Sequence, residues 1–356
     1  MKHALLTGFP GFIGRRLVNS LLGASDELVV SAVVEDRMRG AADELAQKWD
    51  GRLEIVVGDI AARRLGLADG DWDRLTGSVD TVFHLAAIYN LAVPLELAQR
   101  VNVDGTGNVL DFCAACSDLR RHVYVSTAYV AGKRRGTVYE HELVLGQDFK
   151  NHYESTKFQA EVWVRDRMAE IPTTILRPAI VVGDSSSGET EKFDGPYYLL
   201  RSIAQAQRHG RPTAQFGRGD APFNVVPVDY VVAAMAAAAV DDAMVGETLH
   251  LVDPEPLSAA ALLDALSQEY AGIAPQGRVP GWILGFVLRF AVVRGLLSDT
   301  PRESIAYLNH PVAFDTRRAV ALLESHGLRP PNFSDYVKPM VAFFRAHEAD
   351  SAYTPK

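Results

Sequence analysis

Tyr153 and Lys157 are the pair of residues in this sequence best suited to proton transfer. Residues i and i+4 lie on the same face of a helix, so the lysine ammonium can approach the phenol and favour the phenolate. A free tyrosine titrates near pH ~10, which is too high for an efficient acid or base at neutral pH. The pair therefore predicts an acid/base centre on a helix over residues 153–168.

A glycine-rich turn follows the first predicted strand, in the spacing Gly-x-x-Gly-x-x-Gly, and a helix begins at once behind it. Gly8 permits a tight turn, Gly11 lets the backbone approach a pyrophosphate, and Gly14 lets the helix pack closely on the strand. The free N–H groups at the start of the helix bind the anion. The residues that we expect in this dinucleotide site are Gly8, Phe9, Pro10, Gly11, Phe12, Ile13 and Gly14.

The end of the second predicted strand bears on the choice between NAD and NADP. A carboxylate at this place accepts the ribose hydroxyls of NAD and repels the 2′-phosphate of NADP. Glu35 occupies it, which favours NAD(H). Arg37 and Arg39 follow at the start of the next helix and could neutralise a phosphate, so NADP(H) stays open as the alternative.

Compact apolar runs alternate with amphipathic segments along the first half of the chain. This alternation predicts an α/β fold, a Rossmann-type doubly wound parallel sheet that carries the motifs at the carboxyl ends of its strands. We expect a dinucleotide-binding domain at 1–182 and a smaller, mostly helical substrate-binding part at 183–356, with 224–252 returning to the sheet. The strands are predicted at 3–7, 28–34, 53–57, 79–85, 122–126, 173–176, 224–227 and 248–251, and the helices of the first half at 12–22, 37–49 and 95–116.

The glycine turn, the Tyr-x-x-x-Lys pattern and Thr127 in Ser-Thr-Ala-Tyr-Val together resemble the extended short-chain dehydrogenase/reductase superfamily. The resemblance implies that Tyr153 protonates the oxygen of a carbonyl that accepts a hydride, and that Thr127 hydrogen-bonds to this oxygen. It also implies that Lys157 holds the nicotinamide ribose hydroxyls. Beyond the glycine turn, the expected cofactor-binding residues are Glu35, Arg37, Asp59, Ile60, Ala86, Ala87, Asn102, Lys157, Pro178 and Ile180.

Residues 177–185, Arg-Pro-Ala-Ile-Val-Val-Gly-Asp-Ser, resemble the fatty acyl-CoA reductase and thioester-reductase branch, as does the segment around Thr127. Members of this branch reduce acyl thioesters to aldehydes or alcohols, commonly with NADPH. The resemblance implies an oxidoreductase acting on a lipophilic carbonyl substrate, an acyl thioester or fatty aldehyde. This chain has Glu35 in place of the basic residue usual in the branch, which argues against assigning the NADPH preference of the branch to this chain.

Other activities of the superfamily stay open as alternatives: a nucleotide-sugar epimerase or reductase, a hydroxysteroid-like dehydrogenase, or a non-catalytic redox sensor. Dehydratases of this fold need an acidic pair after the catalytic threonine, where this chain has Ala128 and Tyr129. Sugar-nucleotide epimerases usually present an arginine in the stretch that here reads 220–227 and lacks one, although Arg218 is near. A sensor typically loses the tyrosine or lysine, and this chain keeps both.

Composition excludes several classes of function. The 356 residues carry 36 Lys and Arg against 44 Asp and Glu, which gives no basic footprint for nucleic acid. Cys113 and Cys116 are too few for a disulfide framework or a four-ligand zinc site, so we expect no metal and no thiol nucleophile. The amino terminus runs into a strand with no cleavable apolar segment, which indicates a cytoplasmic protein.

The most apolar stretch covers residues 279–297 and contains Arg289 and Arg294. Its apolar surface is wider than the stripe that a helix needs for packing on a sheet. One interpretation is the wall of an acyl-chain tunnel, and another is a peripheral membrane contact with both arginines directed to water or headgroups. A fully buried helix or a homodimer contact would explain the same pattern.

Overall fold

The computed structural model describes residues 1–89, 93–216, 219–279 and 305–354. The strands in these residues are β1 (His3–Thr7), β2 (Val29–Val34), β3 (Leu53–Val57), β4 (Thr81–His84), β5 (Arg121–Val125), β6 (Gly136–Val138), β7 (Thr173–Pro178), β8 (Ile180–Val182), β9 (Gln215–Phe216), β10 (Val225–Pro227), β11 (Thr248–Leu251), β12 (Arg278–Val279) and β13 (Val312–Phe314). The α-helices are α1 (Phe12–Ala24), α2 (Arg39–Ala46), α3 (Asp69–Thr76), α4 (Leu95–Ala98), α5 (Gly105–Ala115), α6 (His152–Asp166), α7 (Tyr197–Arg208), α8 (Val228–Ala238), α9 (Ala259–Ala271), α10 (Ile305–Leu308), α11 (Arg317–Leu323) and α12 (Phe333–His347).

The main sheet has seven parallel strands in the order β11-β7-β5-β4-β1-β2-β3. Its central strands are buried along nearly their whole length because helices cover both faces. The fold class predicted from the alternation of apolar and amphipathic segments is confirmed. Since β1 pairs with both β2 and β4, the strand order reverses beside β1, and ligands bind at the carboxyl ends of such a reversal.

The second half of the chain rejoins the sheet at one of the two expected places. Thr248–Leu251 (β11) pairs with β7 at the edge of the main sheet, as the expected return of 224–252 requires. Val225–Pro227 (β10) instead pairs with β8 in a separate two-stranded ladder. The side chain of Asn224 explains this position, because it exchanges two hydrogen bonds with the backbone of Asp253, at 2.8 and 2.9 Å. This anchors the start of β10 beyond the end of β11.

The helix predicted over 95–116 is interrupted. A short α4 leads into a π-helical turn over Gln99–Asp104, and α5 begins only at Gly105. Wider turns of this kind are frequently found at functional sites. Here the turn buries the side chain of Asn102, and the Thr106 hydroxyl donates to the Asn102 carbonyl oxygen at 2.7 Å.

The last fifty residues satisfy two buried carboxylates of the preceding domain. Glu140 accepts hydrogen bonds from the backbone N–H groups of Arg318 and Ala319, at 2.7 and 3.0 Å. Glu154, at the start of α6, accepts one from the Tyr307 hydroxyl at 2.8 Å. The carboxyl-terminal segment therefore contributes polar groups around Glu140 and around Glu154 of α6, the helix that also carries Tyr153 and Lys157.

The apolar stretch at 279–297, apart from Val279, lies outside the described residues, so its predicted roles stay predictions. Within the described ranges, every helix is too short or too polar to cross a membrane.

Candidate active site

The glycine turn is folded tightly against its neighbours. Gly8 has a φ of +95°, and a Cβ there would lie 3.0 Å from the Ala86 nitrogen. A Cβ on Gly14 would lie 2.5 Å from the Gly8 carbonyl oxygen, and one on Gly11 would lie 2.9 Å from the same atom. Glycine at these three positions is therefore required by the close approach of the turn, of α1 and of the loop after β4.

The start of α1 fits an anionic group such as a pyrophosphate. Gly11 is the N-cap and supplies no side-chain hydrogen bond, and the first turn contains no acidic residue. The N–H groups of an uncapped helix start carry the positive end of the helix dipole. Phe9 is buried, while Phe12 and Ile13 are half-buried beside the turn. A dinucleotide would supply here the phosphate oxygens that no side chain provides.

Glu35 lies directly after β2, at the position predicted to select the cofactor. Its carboxylate accepts a hydrogen bond from Arg37 Nε at 2.5 Å, and both side chains are at least half exposed. Arg39 is the first residue of α2 and pairs with Asp43 at 3.5 Å. Each arginine that could neutralise a phosphate is thus already paired with a carboxylate of its own.

The expected adenosine-side residues follow β3 and β4. Asp59 is exposed and its carboxylate accepts from the backbone N–H of Ala61 at 2.9 Å, while Ile60 is buried against α5. Ala86 and Ala87 are half-buried in the loop after β4. The backbone N–H of Ala86 donates to the Thr7 hydroxyl at 3.3 Å, which ties this loop to the end of β1.

Thr127 and Tyr153 meet at the carboxyl end of β5. The Thr127 hydroxyl lies close enough to the Tyr153 phenol to offset part of the burial that raises the pKa of Tyr153 to about 12. The Thr127 hydroxyl also lies 3.5 Å from the carbonyl oxygen of Pro178, at the end of β7. The polarising hydroxyl and the proton donor predicted from sequence are therefore neighbours.

Lys157 lies one helical turn after Tyr153, but its ammonium faces the sheet. Lys157 Nζ donates to the Tyr124 hydroxyl at 3.0 Å and to the Val125 carbonyl at 2.8 Å. Burial lowers the pKa of Lys157 to about 7, against an opposing contribution from the carboxylate of Glu161. We expected the Lys157 ammonium to favour the Tyr153 phenolate, and the protein groups alone do not lower the pKa of Tyr153.

A buried ion pair supports the end of β5 from behind. The carboxylate of Glu161 accepts from the Ser126 hydroxyl at 2.6 Å and from Arg177 Nη2 at 2.6 Å. Arg177 is fully buried, and it also donates to the carbonyl oxygen of Glu142 at 2.8 Å. This network fixes Ser126, the residue before Thr127, and the strand that ends in Pro178.

Asn102 connects the loop after β4 to α6. Its side chain accepts from the N–H of Ile88 at 2.8 Å and donates to the carbonyl of Ile88 at 3.1 Å. It also donates to the Thr156 hydroxyl at 3.1 Å. Asn102 was expected beside the cofactor. Its side-chain hydrogen bonds go to Ile88 in the loop after β4 and to Thr156, which follows Tyr153 by three residues on α6.

The polar segment 183–195 spans the region above the strand reversal. Arg16 on α1 donates to the Glu189 carbonyl at 3.1 Å, and Lys192 donates to the Tyr89 hydroxyl at 3.1 Å. The segment therefore reaches from the helix behind the glycine turn to the loop after β4. Ile180 lies at its base, half-buried, with a methyl group 3.0 Å from where a Cβ on Gly195 would be.

Comparison with known proteins places this architecture in one family. Residues 6–235, nearly two thirds of the chain, match an NAD-binding family described as "Male sterility protein". The chain belongs to this family. Membership in the male sterility family confirms the resemblance drawn from the glycine turn, the segment around Thr127 and residues 177–185.

The relatives of this male sterility family member share less than a third of its residues in the aligned regions, and several are much longer proteins. The chain is 28% identical over 289 residues to one of the subunits that make up the linear gramicidin synthase of Brevibacillus parabrevis, covering 75% of this chain and 5% of the relative. It is 24% identical to fatty acyl-CoA reductase 1 of Arabidopsis thaliana, covering 86% of this chain and 80% of the relative. The chain spans between 5% and 18% of the length of the first three curated relatives.

A solved structure supports the fold along the whole chain. The terminal R domain of the myxalamid PKS-NRPS biosynthetic pathway superposes with a TM-score of 0.85 at 23% identity, covering 99% of this chain and 93% of that one.

The described residues of the present chain contain no cluster of three or more His, Cys, Asp or Glu suited to a metal ion. Burial raises the pKa of the Cys116 thiol to about 12 and also raises that of Cys113, which opposes thiolate formation at either.

Sequence reasoning missed two parts of the site, Tyr124 as the partner of Lys157 and the Glu161–Arg177 pair. A signal was present for the first: His122 and Tyr124 are polar types within a strand expected to be buried on both faces. Buried polar side chains need partners, so such residues point to an internal network.

Proposed function

We propose that this chain is an NAD(H)-dependent reductase of lipophilic carbonyl compounds, with acyl thioesters and fatty aldehydes as the substrate class. The observation that carries the proposal is the closeness of the Thr127 hydroxyl to the Tyr153 phenol, at the sheet edge that also holds the glycine turn. Family membership supports the same class, as does the similarity to a protein named fatty acyl-CoA reductase.

When bound, the nicotinamide supplies the hydride. Tyr153 donates its phenolic proton to the carbonyl oxygen as negative charge develops there, and Thr127 stabilises that oxygen with a second hydrogen bond. Lys157, one turn further along α6, would hold the nicotinamide ribose hydroxyls, as the family resemblance implies. Residues 183–195 contact α1 through Arg16 and the loop after β4 through Tyr89, and would limit access of water from that side.

The preference for NAD(H) rests on Glu35. A 2′-phosphate would have to approach this carboxylate and also draw Arg37 away from it, although the two groups are in contact at 2.5 Å. Desolvating like charges against each other is costly. The ribose hydroxyls of NAD(H) can instead donate to Glu35 without breaking its bond to Arg37.

The decisive experiment is a substrate panel read by loss of NADH or NADPH absorbance. Acyl-CoAs and aldehydes from four to sixteen carbons are compared with UDP- and dTDP-sugars, and Tyr153→Phe serves as the matched inactive control. Each buried methylene should raise the specificity constant roughly fourfold until the binding site ends, since it contributes ~0.8 kcal/mol.

Two other results would redirect the assignment. Turnover of a nucleotide sugar, with no dependence on acyl chain length, would favour an epimerase or sugar reductase. Tight dinucleotide binding without turnover of any compound would favour a redox sensor.

A further inference from the structure

A buried row of polar side chains begins at Lys157 and crosses three strands of the sheet. Lys157 donates to the Tyr124 hydroxyl, and the Tyr124 ring packs against the His84 ring with centroids 5.6 Å apart. Thr106 Oγ1 lies 3.0 Å from His84 Nε2, and His84 Nδ1 lies 2.8 Å from Thr7 Oγ1. All five side chains are at most 2% exposed. We call these five residues the buried polar chain.

The partners fix the direction of each hydrogen bond. Burial and the nearby positive charge of Lys157 hold the pKa of His84 well below its usual value, so its ring is neutral and carries one proton. Thr106 donates its own proton to the Asn102 carbonyl, so Thr106 Oγ1 can only accept from His84. The proton of His84 is therefore on Nε2, and the Thr7 hydroxyl donates to Nδ1.

The hydrogen bonds of the buried polar chain do not run in one direction from Lys157 to Thr7, which argues against a proton path. The Thr106 hydroxyl accepts from His84 and donates to the Asn102 carbonyl, while Tyr124 contacts His84 through its ring. The arrangement is a fixed set of satisfied bonds, and such sets hold side chains in one position.

The far end of the buried polar chain lies at the proposed dinucleotide site. Thr7 immediately precedes Gly8, and its oxygen accepts from the backbone N–H of Ala86. A displacement of the glycine turn or of the loop after β4 therefore moves Thr7, the residue at this end of the buried polar chain. At the other end, Tyr124 is one of the two hydrogen-bond partners of Lys157.

We propose that the buried polar chain couples dinucleotide binding at the glycine turn to the placement of the Lys157 ammonium, with Tyr124, Thr106 and His84 as positioning residues. The inference rests on the proposed function only in assigning the dinucleotide to the turn and its nicotinamide ribose to Lys157. It adds that the two contacts are connected through the protein interior, although the glycine turn follows β1 and Lys157 lies on α6.

The test is a double-mutant cycle on NADH affinity, measured by calorimetry with Thr7→Val, Tyr124→Phe and the double variant. Each substitution removes one hydroxyl and keeps the shape of the side chain. Loss of one neutral hydrogen bond should weaken binding about fivefold in each single variant. Coupling through the buried polar chain predicts that the double variant is also weakened about fivefold, because the connection is already broken.

Independent effects would multiply to roughly 25-fold in the double variant, and that result would overturn the inference. Thr174→Val is the matched control, since Thr174 is a fully buried hydroxyl on β7 whose partner is the Met244 carbonyl at 2.7 Å. Combined with Tyr124→Phe it should give multiplicative effects. Should Thr7→Val fail to fold, Thr106→Val and Thr106→Ser replace it: loss of affinity in the first and recovery in the second support the coupling.

The readout separates this inference from the proposed function. NADH binding does not depend on which carbonyl compound is reduced, so a failed acyl-thioester panel leaves the cycle interpretable. Multiplicative effects with normal turnover of acyl thioesters would refute the coupling alone. Absence of binding by both NADH and NADPH would refute both proposals.

Discussion

Replacement of Lys157 by methionine should change how the stability of the protein depends on pH. The side chain is 2% exposed, and its two hydrogen-bond partners, Tyr124 and the Val125 carbonyl, are neutral. The nearest carboxylate, Glu161, is already bound by Arg177. Burial therefore dominates and lowers the pKa of Lys157 to about 7.

The expected magnitude follows from this pKa. An unfolded lysine titrates near pH ~10.4, so between pH 7 and 10 the unfolded chain holds a proton that the folded protein has lost. The free energy of unfolding then rises with pH. Integrated from pH 6 to pH 9, a folded pKa of about 7 gives a rise of about 3 kcal/mol, at ~1.36 kcal/mol per unit.

Urea denaturation of the wild type and Lys157→Met at pH 6, 7, 8 and 9 measures this contribution. The stability of the wild type relative to the variant should increase by about 3 kcal/mol across the series. Lys338→Met, at an exposed lysine of α12, is the matched control for removing one positive charge. Parallel pH profiles for the wild type and Lys157→Met would refute the argument that burial governs this lysine.

Three further outcomes are expected. Tyr153→Phe should lower turnover ~100-fold or more with nearly unchanged NADH affinity, and full activity of the variant on the true substrate would remove Tyr153 from the mechanism. Calorimetry should find NADH bound at least as tightly as NADPH, and Glu35→Ala should narrow the difference in affinity between the two cofactors. If NADPH binds tenfold more tightly to the wild type, Arg37 or Arg39, and not Glu35, determines the choice of cofactor. Cys113→Ser combined with Cys116→Ser should retain activity, because direct hydride addition needs no thiol, and loss of activity in a folded double variant would indicate a covalent thioester.

The sheet and the glycine turn could be predicted because local sequence determines them. Strands buried on both faces are mostly apolar, so the apolar runs of β1, β4 and β7 are readable from composition. The contacts that require Gly11 and Gly14 are equally local, since both residues approach the Gly8 carbonyl oxygen, whereas the contact of Gly8 with Ala86 crosses to the loop after β4. The pair Tyr153 and Thr127 also follows, because both lie at the same edge of a parallel sheet.

The partners of Lys157 could not be predicted in the same way. Helical spacing brings Lys157 near Tyr153 but does not state which direction a flexible side chain takes. The structure shows that Tyr124, 33 positions earlier, offers a buried partner that helix geometry alone cannot reveal. The π-helical turn around Asn102 is similar, since the Asn102 side chain bonds to Ile88 on another loop. Long-range pairing of polar groups is thus the part of the site that a single sequence leaves open.

The bonds from the carboxyl-terminal segment to Glu140 and Glu154 bear on biosynthesis. While the chain emerges from the ribosome, the sheet strands and α6 appear well before Tyr307, Arg318 and Ala319. Until these residues are synthesised, both carboxylates lack bonds that they accept in the folded protein, although Glu154 keeps its bonds from Lys150 and Glu140 keeps its bond from His250. Each missing hydrogen bond to a buried carboxylate lowers local stability. A nascent chain that ends before residue 305 should therefore hold the first turn of α6 less firmly, and the proposed acid/base centre reaches its final surroundings only after these residues are added.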